Sequence, residues 1–212
     1  MIEISDEVLE FAKRELSQIK SIVKIIYFKS ERNKLDKIAK EILSLISRLC
    51  NKVVVEYYDR NSEIAKKFKV DLFPAFIIHG VRPYNIRFFG LPIGYEFGTF
   101  IRDLVDASTG KVKLLPKTID LLKSINKEVR ISVFVTPTCP YCPLMVRLAH
   151  KFAIVNDKIY ADMIDAVEFP EIARKWNVVN VPKTIINGKF EIEGLVNELV
   201  LAKKIIDILN PA

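Results

Sequence analysis

The stretch Thr136-Pro137-Thr138-Cys139-Pro140-Tyr141-Cys142-Pro143 decides how the rest of the chain is interpreted. It follows an apolar segment, Ile131 to Val135, that is typical of a buried strand, and it leads into a segment with helical spacing. Two cysteines separated by two residues, between a strand and a helix, are typical of a redox-active dithiol. The alternative is one half of a zinc site.

The composition indicates a folded globular protein. Of the 212 residues, 50% are apolar and 28% are charged, and the formal net charge is +7. Lys and Arg alternate with Glu and Asp along predicted helices, which favours a solvated surface over a nucleic-acid-binding patch. No apolar run is long enough to span a membrane, so we expect neither a nucleic-acid nor a membrane partner.

The expected compartment is the cytoplasm. Residues 1–13 predict an acidic-leaning amphipathic helix rather than a secretory signal. Three cysteines are too few for a secreted disulfide framework. The single glutamine, Gln18, together with many Lys, Glu and Ile residues, is a feature of thermophilic proteins.

Hydrophobic periodicity predicts alternating helices and strands in the first half. These are a helix at 6–19 with Ser5 as its cap, a strand at 22–28, a helix through 35–49, a strand at 53–58, a short helix at 62–68, strands at 75–79 and 86–89, and a helix around 95–105. Residues 107–111 have the composition of a linker.

The same order then starts again. The second half predicts a helix at 117–125, a strand at 129–135, a helix after Cys139, a strand at 159–164, a short helix at 171–176, strands at 183–187 and 190–192, and a final helix at 196–209.

The two halves align at a fixed offset of 108 residues. Glu63 to Val70 matches Glu171 to Val178, and Pro74 matches Pro182. A constant offset over several landmarks indicates an internal duplication. We therefore predict an α/β protein of two tandem units, residues 1–110 and 111–212, each a mixed β-sheet covered by helices.

This element order, with its Cys-x-x-Cys and a proline before the third strand, resembles the thioredoxin fold. Two such units in one chain resemble the archaeal-type protein disulfide oxidoreductases, relatives of glutaredoxin and protein disulfide isomerase. Residues 134–143 match the family's second unit, and the match continues through Arg147, residues 150–153 and residues 181–183. The resemblance implies that Cys139 is the nucleophile and Cys142 the resolving cysteine.

The active-site turn implied by the resemblance comprises Thr138, Pro140 and Tyr141 between and beside the cysteines. A helix that begins at Pro140 is well formed, because proline is tolerated at the first helical position. The helix N-terminus then favours a thiolate and lowers the cysteine pKa from ~8.5 toward about 3.5–7.5. The Pro-Tyr pair resembles glutaredoxin, which implies a potential of about −200 to −230 mV.

Pro182 resembles the family's cis proline beside the redox pair. A cis bond there exposes the backbone of Val181, so that an extended substrate segment can pair with it. The alternative is an ordinary proline at the start of a strand. Pro74 is expected to adopt the same geometry in the first unit.

The first unit departs from the family pattern. Cys139 lies 43 residues before Pro182, and counting back the same distance from Pro74 reaches Glu31, in a segment without cysteine. Cys50 ends an apolar helix face and is expected to be a buried small hydrophobe. We therefore predict that the first unit keeps the fold and lacks the redox chemistry.

Other polar residues receive structural interpretations. Thioredoxins often bury an acid six residues before the first cysteine, and here that position is Val133, so proton transfer needs another group or water. Asp165 and Glu168 are explained by a strand end and a turn. His150 is expected on the solvated face of its helix. With only Cys50, His79 and His150 as further ligands, we expect no metal, although a cluster bridged between two chains stays open.

We predict a dithiol–disulfide oxidoreductase that reduces, forms or reshuffles protein disulfides without a bound cofactor. A thioredoxin-reductase-like flavoenzyme or a small thiol is the expected electron source. One alternative is a dedicated electron carrier to a peroxiredoxin, like the two-unit N-terminal region of the flavoprotein that serves alkyl hydroperoxide peroxiredoxins; we expect this chain to lack that flavin domain. Another is a client-binding chaperone with a secondary redox role.

Overall fold

The structure of the protein is a computed structural model, and it describes residues 5–210. The first half contains α1 (Asp6–Leu16), β1 (Val23–Phe28), α2 (Asn33–Leu49), β2 (Val53–Tyr58), α3 (Glu63–Lys67), β3 (Ala75–His79), β4 (Ile86–Phe89) and α4 (Tyr95–Thr109). The second half contains α5 (Pro116–Lys123), β5 (Val129–Val135), α6 (Cys142–Val155), β6 (Ile159–Asp165), α7 (Pro170–Lys175), β7 (Lys183–Ile186), β8 (Phe190–Glu193) and α8 (Glu198–Leu209).

The predicted α/β architecture with two tandem units is confirmed, but the two sheets are fused. The eight strands form one sheet in the order β2-β1-β3-β4-β6-β5-β7-β8. The fusion arises because the edge strand β4 of the first unit pairs in parallel with the edge strand β6 of the second. This pairing removes two exposed sheet edges and leaves only β2 and β8 as edge strands among the described residues.

The backbone repeats the duplication seen in the sequence. Lys69 and Asn177, 108 residues apart, both adopt left-handed conformations, with φ of 53° and 46°. Each precedes a strand-start proline, and the Phe73–Pro74 and Val181–Pro182 peptide bonds are both cis. The cis geometry that the sequence analysis predicts at Pro182 and Pro74 is therefore confirmed.

A buried ionic network fixes the junction between the units. The Arg87 guanidinium donates two hydrogen bonds to Asp162, at 2.6 and 2.9 Å, and both side chains are almost fully buried. Arg130 donates to the same carboxylate at 2.5 Å and also reaches Asp71 of the first unit at 3.2 Å. Burial alone would raise the pKa of Asp162, but the two guanidiniums outweigh it and hold that pKa below its usual value.

The boundary between the units differs from the predicted linker. Residues 107–109 belong to α4, because Ala107 continues its apolar face and is completely buried. The Ser108 hydroxyl accepts a hydrogen bond from the backbone N–H of Lys20 at 3.2 Å. The helix ends at Gly110, whose φ of 66° provides the left-handed cap that glycine favours.

Other local expectations have mixed outcomes. Ser5 caps α1 by accepting from the N–H of Val8 at 3.4 Å, as predicted, whereas α1 ends at Leu16 rather than Ile19. The predicted helix at 1–13 lies outside the described residues at 1–4. Among residues 5–210, no helix has the length and apolar character needed to cross a membrane.

Candidate active site

The Cys-x-x-Cys lies in the six-residue turn between β5 and α6. Cys139 and Cys142 form a disulfide, and their Cα atoms are 5.5 Å apart. The helix begins at Cys142 and not at Pro140, because Pro140 and Tyr141 form a bend that precedes it. Pro143 instead occupies the first helical turn, where its missing N–H costs no hydrogen bond.

The two sulfurs have different surroundings. Cys139 is 8% exposed, while Cys142 is completely buried. The backbone N–H of Cys142 donates to the Cys139 Sγ atom at 3.1 Å. An N–H at a helix N-terminus stabilises negative charge, so this contact favours a thiolate at Cys139 once the disulfide is reduced. The side chains of Thr138, Pro140 and Tyr141 are exposed around it, and Tyr141 is 60% accessible.

The cis proline lies beside the disulfide. The carbonyl oxygen of Val181 is 3.8 Å from the Cys139 Sγ atom. In the oxidised state that sulfur has no hydrogen to donate, so the approach is a van der Waals contact. Pro182 is buried, and its own carbonyl accepts from Gly194 at 2.9 Å. The structure thus brings together Cys139, Val181 and Pro182 from distant parts of the chain.

The first unit also contributes to the redox turn. The N–H of Tyr95, at the start of α4, donates to the Pro137 carbonyl at 3.0 Å. Gly94 precedes it with φ of 59°, and a Cβ atom on that glycine would overlap the same carbonyl oxygen. Only glycine therefore allows the first unit's last helix to approach the turn this closely.

Glu96, in the first turn of α4, is a buried carboxyl that the sequence analysis missed. It is 1% exposed, and neither carboxylate oxygen has a hydrogen-bond partner within residues 5–210. Burial raises the pKa of Glu96 to about 7, and the neighbouring Asp103 and Asp165 add to the rise. The Thr99 hydroxyl opposes the shift without completing a bond of good geometry.

The packing of α4 against α6 places Glu96 at the level of the cysteines. The two helices begin at the same end, because Tyr95 is bonded to Pro137. Asp103 pairs with Arg147. Two helical turns back, about seven residues, the corresponding positions are Glu96 on α4 and Pro140 next to Cys139. A glutamate near a helix N-terminus is ordinary in sequence, so only the packing reveals this position.

The prediction that His150 faces solvent is wrong. His150 is completely buried, and its Nδ1 atom lies 2.6 Å from the Asp103 carboxylate. Arg147 pairs with the same carboxylate and with Asp106 at 2.7 Å. These contacts exist because α4 of the first unit covers the helix face that periodicity assigns to solvent. The network ties the redox helix to the first unit.

The equivalent turn of the first unit, residues 29–32, is two residues shorter and contains no sulfur. Its polar groups converge on Asp36. The carboxylate accepts from the Tyr27 hydroxyl at 2.5 Å and from the Ser30 N–H at 2.8 Å. Burial alone would raise the pKa of Asp36, but these hydrogen bonds outweigh it and lower that pKa. A cleft of about 1040 Å³ near this turn is lined by charges of both signs.

The remaining candidates have structural surroundings. Asp165 accepts from the Val167 N–H at 2.8 Å, which confirms its turn role. Glu168 accepts from the Leu91 N–H at 2.7 Å, and burial raises its pKa to about 7. Cys50 is half-buried against the core, and so is Trp176. Within residues 5–210, no group of three or more His, Cys, Asp or Glu side chains has the arrangement of a metal site.

Comparison with known proteins agrees with this geometry. Residues 129–207 match the family described as thioredoxin domain. A solved protein disulfide oxidoreductase from Aeropyrum pernix superposes with a TM-score of 0.88 at 25% identity, covering 98% of this chain and 94% of the other. The chain is therefore a tandem thioredoxin-fold protein of the thiol–disulfide oxidoreductase type.

Two curated relatives are longer proteins. A Bacillus subtilis protein named NADH dehydrogenase is 27% identical over 171 residues, which is 79% of this chain and 32% of the relative. A Staphylococcus aureus protein, one of the subunits of alkyl hydroperoxide reductase, is 28% identical over 105 residues, which is 50% of this chain and 20% of the relative. The chain thus spans a third or less of the length of these two relatives.

Proposed function

We propose that this chain, which resembles the archaeal protein disulfide oxidoreductases, exchanges protein dithiols and disulfides through the single pair Cys139 and Cys142. The observation that carries the proposal is the position of the Cys139 sulfur. It accepts the Cys142 N–H at the start of α6 and lies 3.8 Å from the carbonyl of Val181. A stabilised thiolate beside an exposed backbone edge is what attack on an extended disulfide substrate requires.

In the reductive direction, the Cys139 thiolate attacks one sulfur of the substrate disulfide. The substrate S–S bond breaks, a mixed disulfide with Cys139 forms, and the other substrate sulfur leaves as a thiolate. The assignment of attack to Cys139 is supported by its partial exposure, since Cys142 is inaccessible to a protein substrate.

Cys142 then resolves the mixed disulfide. Its thiol loses a proton and attacks the Cys139 sulfur, and the second substrate sulfur leaves as a thiol. Two electrons have passed to the substrate, and the pair is left as a disulfide. Glu96 is the proposed proton acceptor, because it is buried at the level of the turn and its pKa of about 7 permits both protonation states near neutrality.

Substrate binding is assigned to the segment at the cis proline. Pro182 orients the Val181 backbone toward the cysteines, and an extended substrate strand adjacent to Val181 would receive main-chain hydrogen bonds. The exposed residues Thr138, Pro140 and Tyr141 form the rim that this substrate contacts. The boundary of the redox unit is proposed at residue 111, after the glycine cap of α4.

The proposed partners are proteins with accessible disulfides or thiols. The pair is recharged by a thioredoxin-reductase-like flavoenzyme or by a small thiol, and the proposed compartment is the cytoplasm. A second candidate function is electron delivery to a peroxiredoxin. The relative from alkyl hydroperoxide reductase favours it, and both functions use the same cysteines.

Reduction of insulin disulfides by dithiothreitol tests the proposal. The native chain should accelerate the reaction, and Cys139→Ser should abolish the acceleration. Cys50→Ser is the matched control and should leave it unchanged, since Cys50 lies at the end of α2 in the first unit. Insulin reduction that survives Cys139→Ser would refute the proposal.

A further inference from the structure

A groove of about 860 Å³ begins beside the redox turn and follows α6 away from it. It lies between α6, the segment that leads into α5, and the start of α8. Leu144, Leu148 and Lys151 line it at helical spacing, so it extends for about 10 Å from the turn that holds Cys142. This length accommodates three or four residues of extended peptide.

The groove has an apolar surface that no part of residues 5–210 covers. Leu144 is 59% exposed and Leu115 is 51% exposed. Leu114 and Leu148 are half-buried between them. Four leucines around one concave surface next to a reactive disulfide form an apolar binding site for side chains of a protein substrate.

The far end of the groove carries an uncompensated positive charge. Lys151 is half-buried, and it forms no hydrogen bond or close ion pair within the described residues. The two nearest carboxylates are already engaged. Asp106 pairs with Arg147 at 2.7 Å, and Glu198 accepts from the Leu115 N–H at 2.6 Å and from the Thr118 hydroxyl at 2.8 Å.

A second cation reinforces this sign. Arg102, on the opposite wall, is 54% exposed and has only a long ion pair, at 3.5 Å, with Glu15. An incoming carboxylate therefore meets Lys151 and Arg102 without displacing a strong native pair. The charge of the whole chain, +7, has the same sign and attracts acidic partners over longer distances.

We propose that this groove binds an extended acidic segment of the partner protein, with leucine-like side chains over the four leucines and a carboxylate at Lys151. The inference rests on the oxidoreductase function proposed above and adds its substrate class. The segment lies along α6 from the position where the partner's cysteine meets Cys139, so the groove selects among proteins after the turn has recognised a disulfide.

Synthetic peptides test the groove with a defined readout. Two peptides carry one cysteine as its mixed disulfide with 4-thiopyridine, followed by leucines and either two glutamates or two glutamines. The reduced protein converts each to peptide thiol and thiopyridone and is itself oxidised to the Cys139–Cys142 disulfide. The rate of thiopyridone release is normalised to that with 4,4′-dithiodipyridine for the same variant, because this small neutral disulfide does not reach along the groove.

We expect the native protein to prefer the glutamate peptide by about fivefold, the factor that one rim ion pair of ~1 kcal/mol supplies. Lys151→Gln should reduce the ratio to about one, and Lys151→Glu should invert it. The control Lys189→Glu makes the same charge change as Lys151→Glu in the exposed β7–β8 turn, away from the cis proline, and should keep the native ratio.

The outcomes separate the two proposals. No reaction of the native protein with any of the three disulfides would refute the oxidoreductase function itself. Reaction with a ratio of one, or an equal loss of preference in Lys189→Glu, would refute only the groove. A concentration-dependent dimer that Lys151→Gln dissociates, measured by sedimentation velocity, would show that a second copy occupies the groove and would also overturn this proposal.

Discussion

The two strand-to-helix turns, residues 29–32 and 136–141, occupy equivalent places in the duplicated fold and have opposite chemistry. Each lies at the end of a central strand in a unit whose third strand follows a cis proline. In the first, the carboxylate of Asp36 receives hydrogen bonds from Tyr27 and Ser30. In the second, Glu96 of the neighbouring unit is buried without a hydrogen bond. A satisfied carboxylate holds a turn in place, whereas an unsatisfied one is available to exchange protons.

The largest expected effect is on the resolving cysteine. Cys142→Ser should lower multiple-turnover disulfide reduction by about 10³-fold, because nothing displaces the substrate from Cys139. Mass spectrometry of the reaction mixture should then show a stable mixed disulfide. Cys139→Ser provides the contrast, since it should form no such adduct; an adduct on that variant would place the nucleophile elsewhere.

Next in size is the effect of Glu96→Gln on the second turn. The amide cannot accept a proton, so the resolving step should slow by about 100-fold near pH 7, the lower range of general base catalysis. Single-turnover kinetics measure this step directly. Glu168→Gln is the matched control, because Glu168 is also buried with a pKa of about 7 but hydrogen-bonds Leu91 of the first unit. An equal slowing in both variants would rule out a specific role for Glu96.

The same variant changes the dependence of stability on pH. The folded pKa of Glu96, about 7, lies above its ordinary value of 4.5, so the stability that the neutral acid contributes is complete below pH 4.5 and is lost as the pH rises through 7. The loss is on the order of 3 kcal/mol. Glu96→Gln should therefore flatten the fall in unfolding free energy between about pH 4.5 and 7. Urea titrations across that range provide the measurement, and an unchanged slope would contradict the assigned pKa.

Asp36→Ala tests the first turn and should have a smaller effect, on stability alone. Removing the carboxylate leaves the Tyr27 hydroxyl and the Ser30 N–H without their acceptor, which should cost about 2 kcal/mol in unfolding free energy. Because the folded pKa of Asp36 is lowered, its contribution is present above its unfolded pKa and is lost as the pH falls through the folded value. Insulin reduction should stay at the native level; a loss of activity would mean that the first turn is not silent.

The smallest expected effect is the gain from cysteines placed in the first turn. Glu31→Cys combined with Lys34→Cys restores the spacing, in a Cys139→Ser background. We expect no insulin reduction, because the turn is two residues shorter and position 31 has a left-handed backbone with φ of 65°. Measurable activity would show that the cysteines alone, and not the shape of the turn, distinguish the units.

The sequence predicts those parts of the fold and the site that depend on local pattern and internal repetition. The fixed offset identifies Pro182 as the partner of Pro74, and the strand-to-helix position of Cys139 identifies the redox pair. The boundaries of α6 and α4 are less accurate, because Pro140 fits a helix start equally well and Ser108 and Thr109 are also common in linkers.

The contacts between the units could not be read from either half alone. His150 has neighbours typical of a solvated face, but α4 buries it against Asp103. Glu96 resembles any acidic residue at a helix start until α4 is packed against α6. The parallel pairing of β4 with β6 is likewise specific to the duplicated chain. Each depends on tertiary packing between segments that no local periodicity relates.

A redox titration against glutathione, with alkylation of free thiols and peptide mass analysis, tests the central claim that one turn carries all the redox chemistry. We predict a single two-electron transition at Cys139 and Cys142, at a glutaredoxin-like potential of about −200 to −230 mV. Cys50 should stay open to alkylation under denaturing conditions throughout. A transition that involves Cys50, or one that persists in Cys139→Ser, would contradict the account.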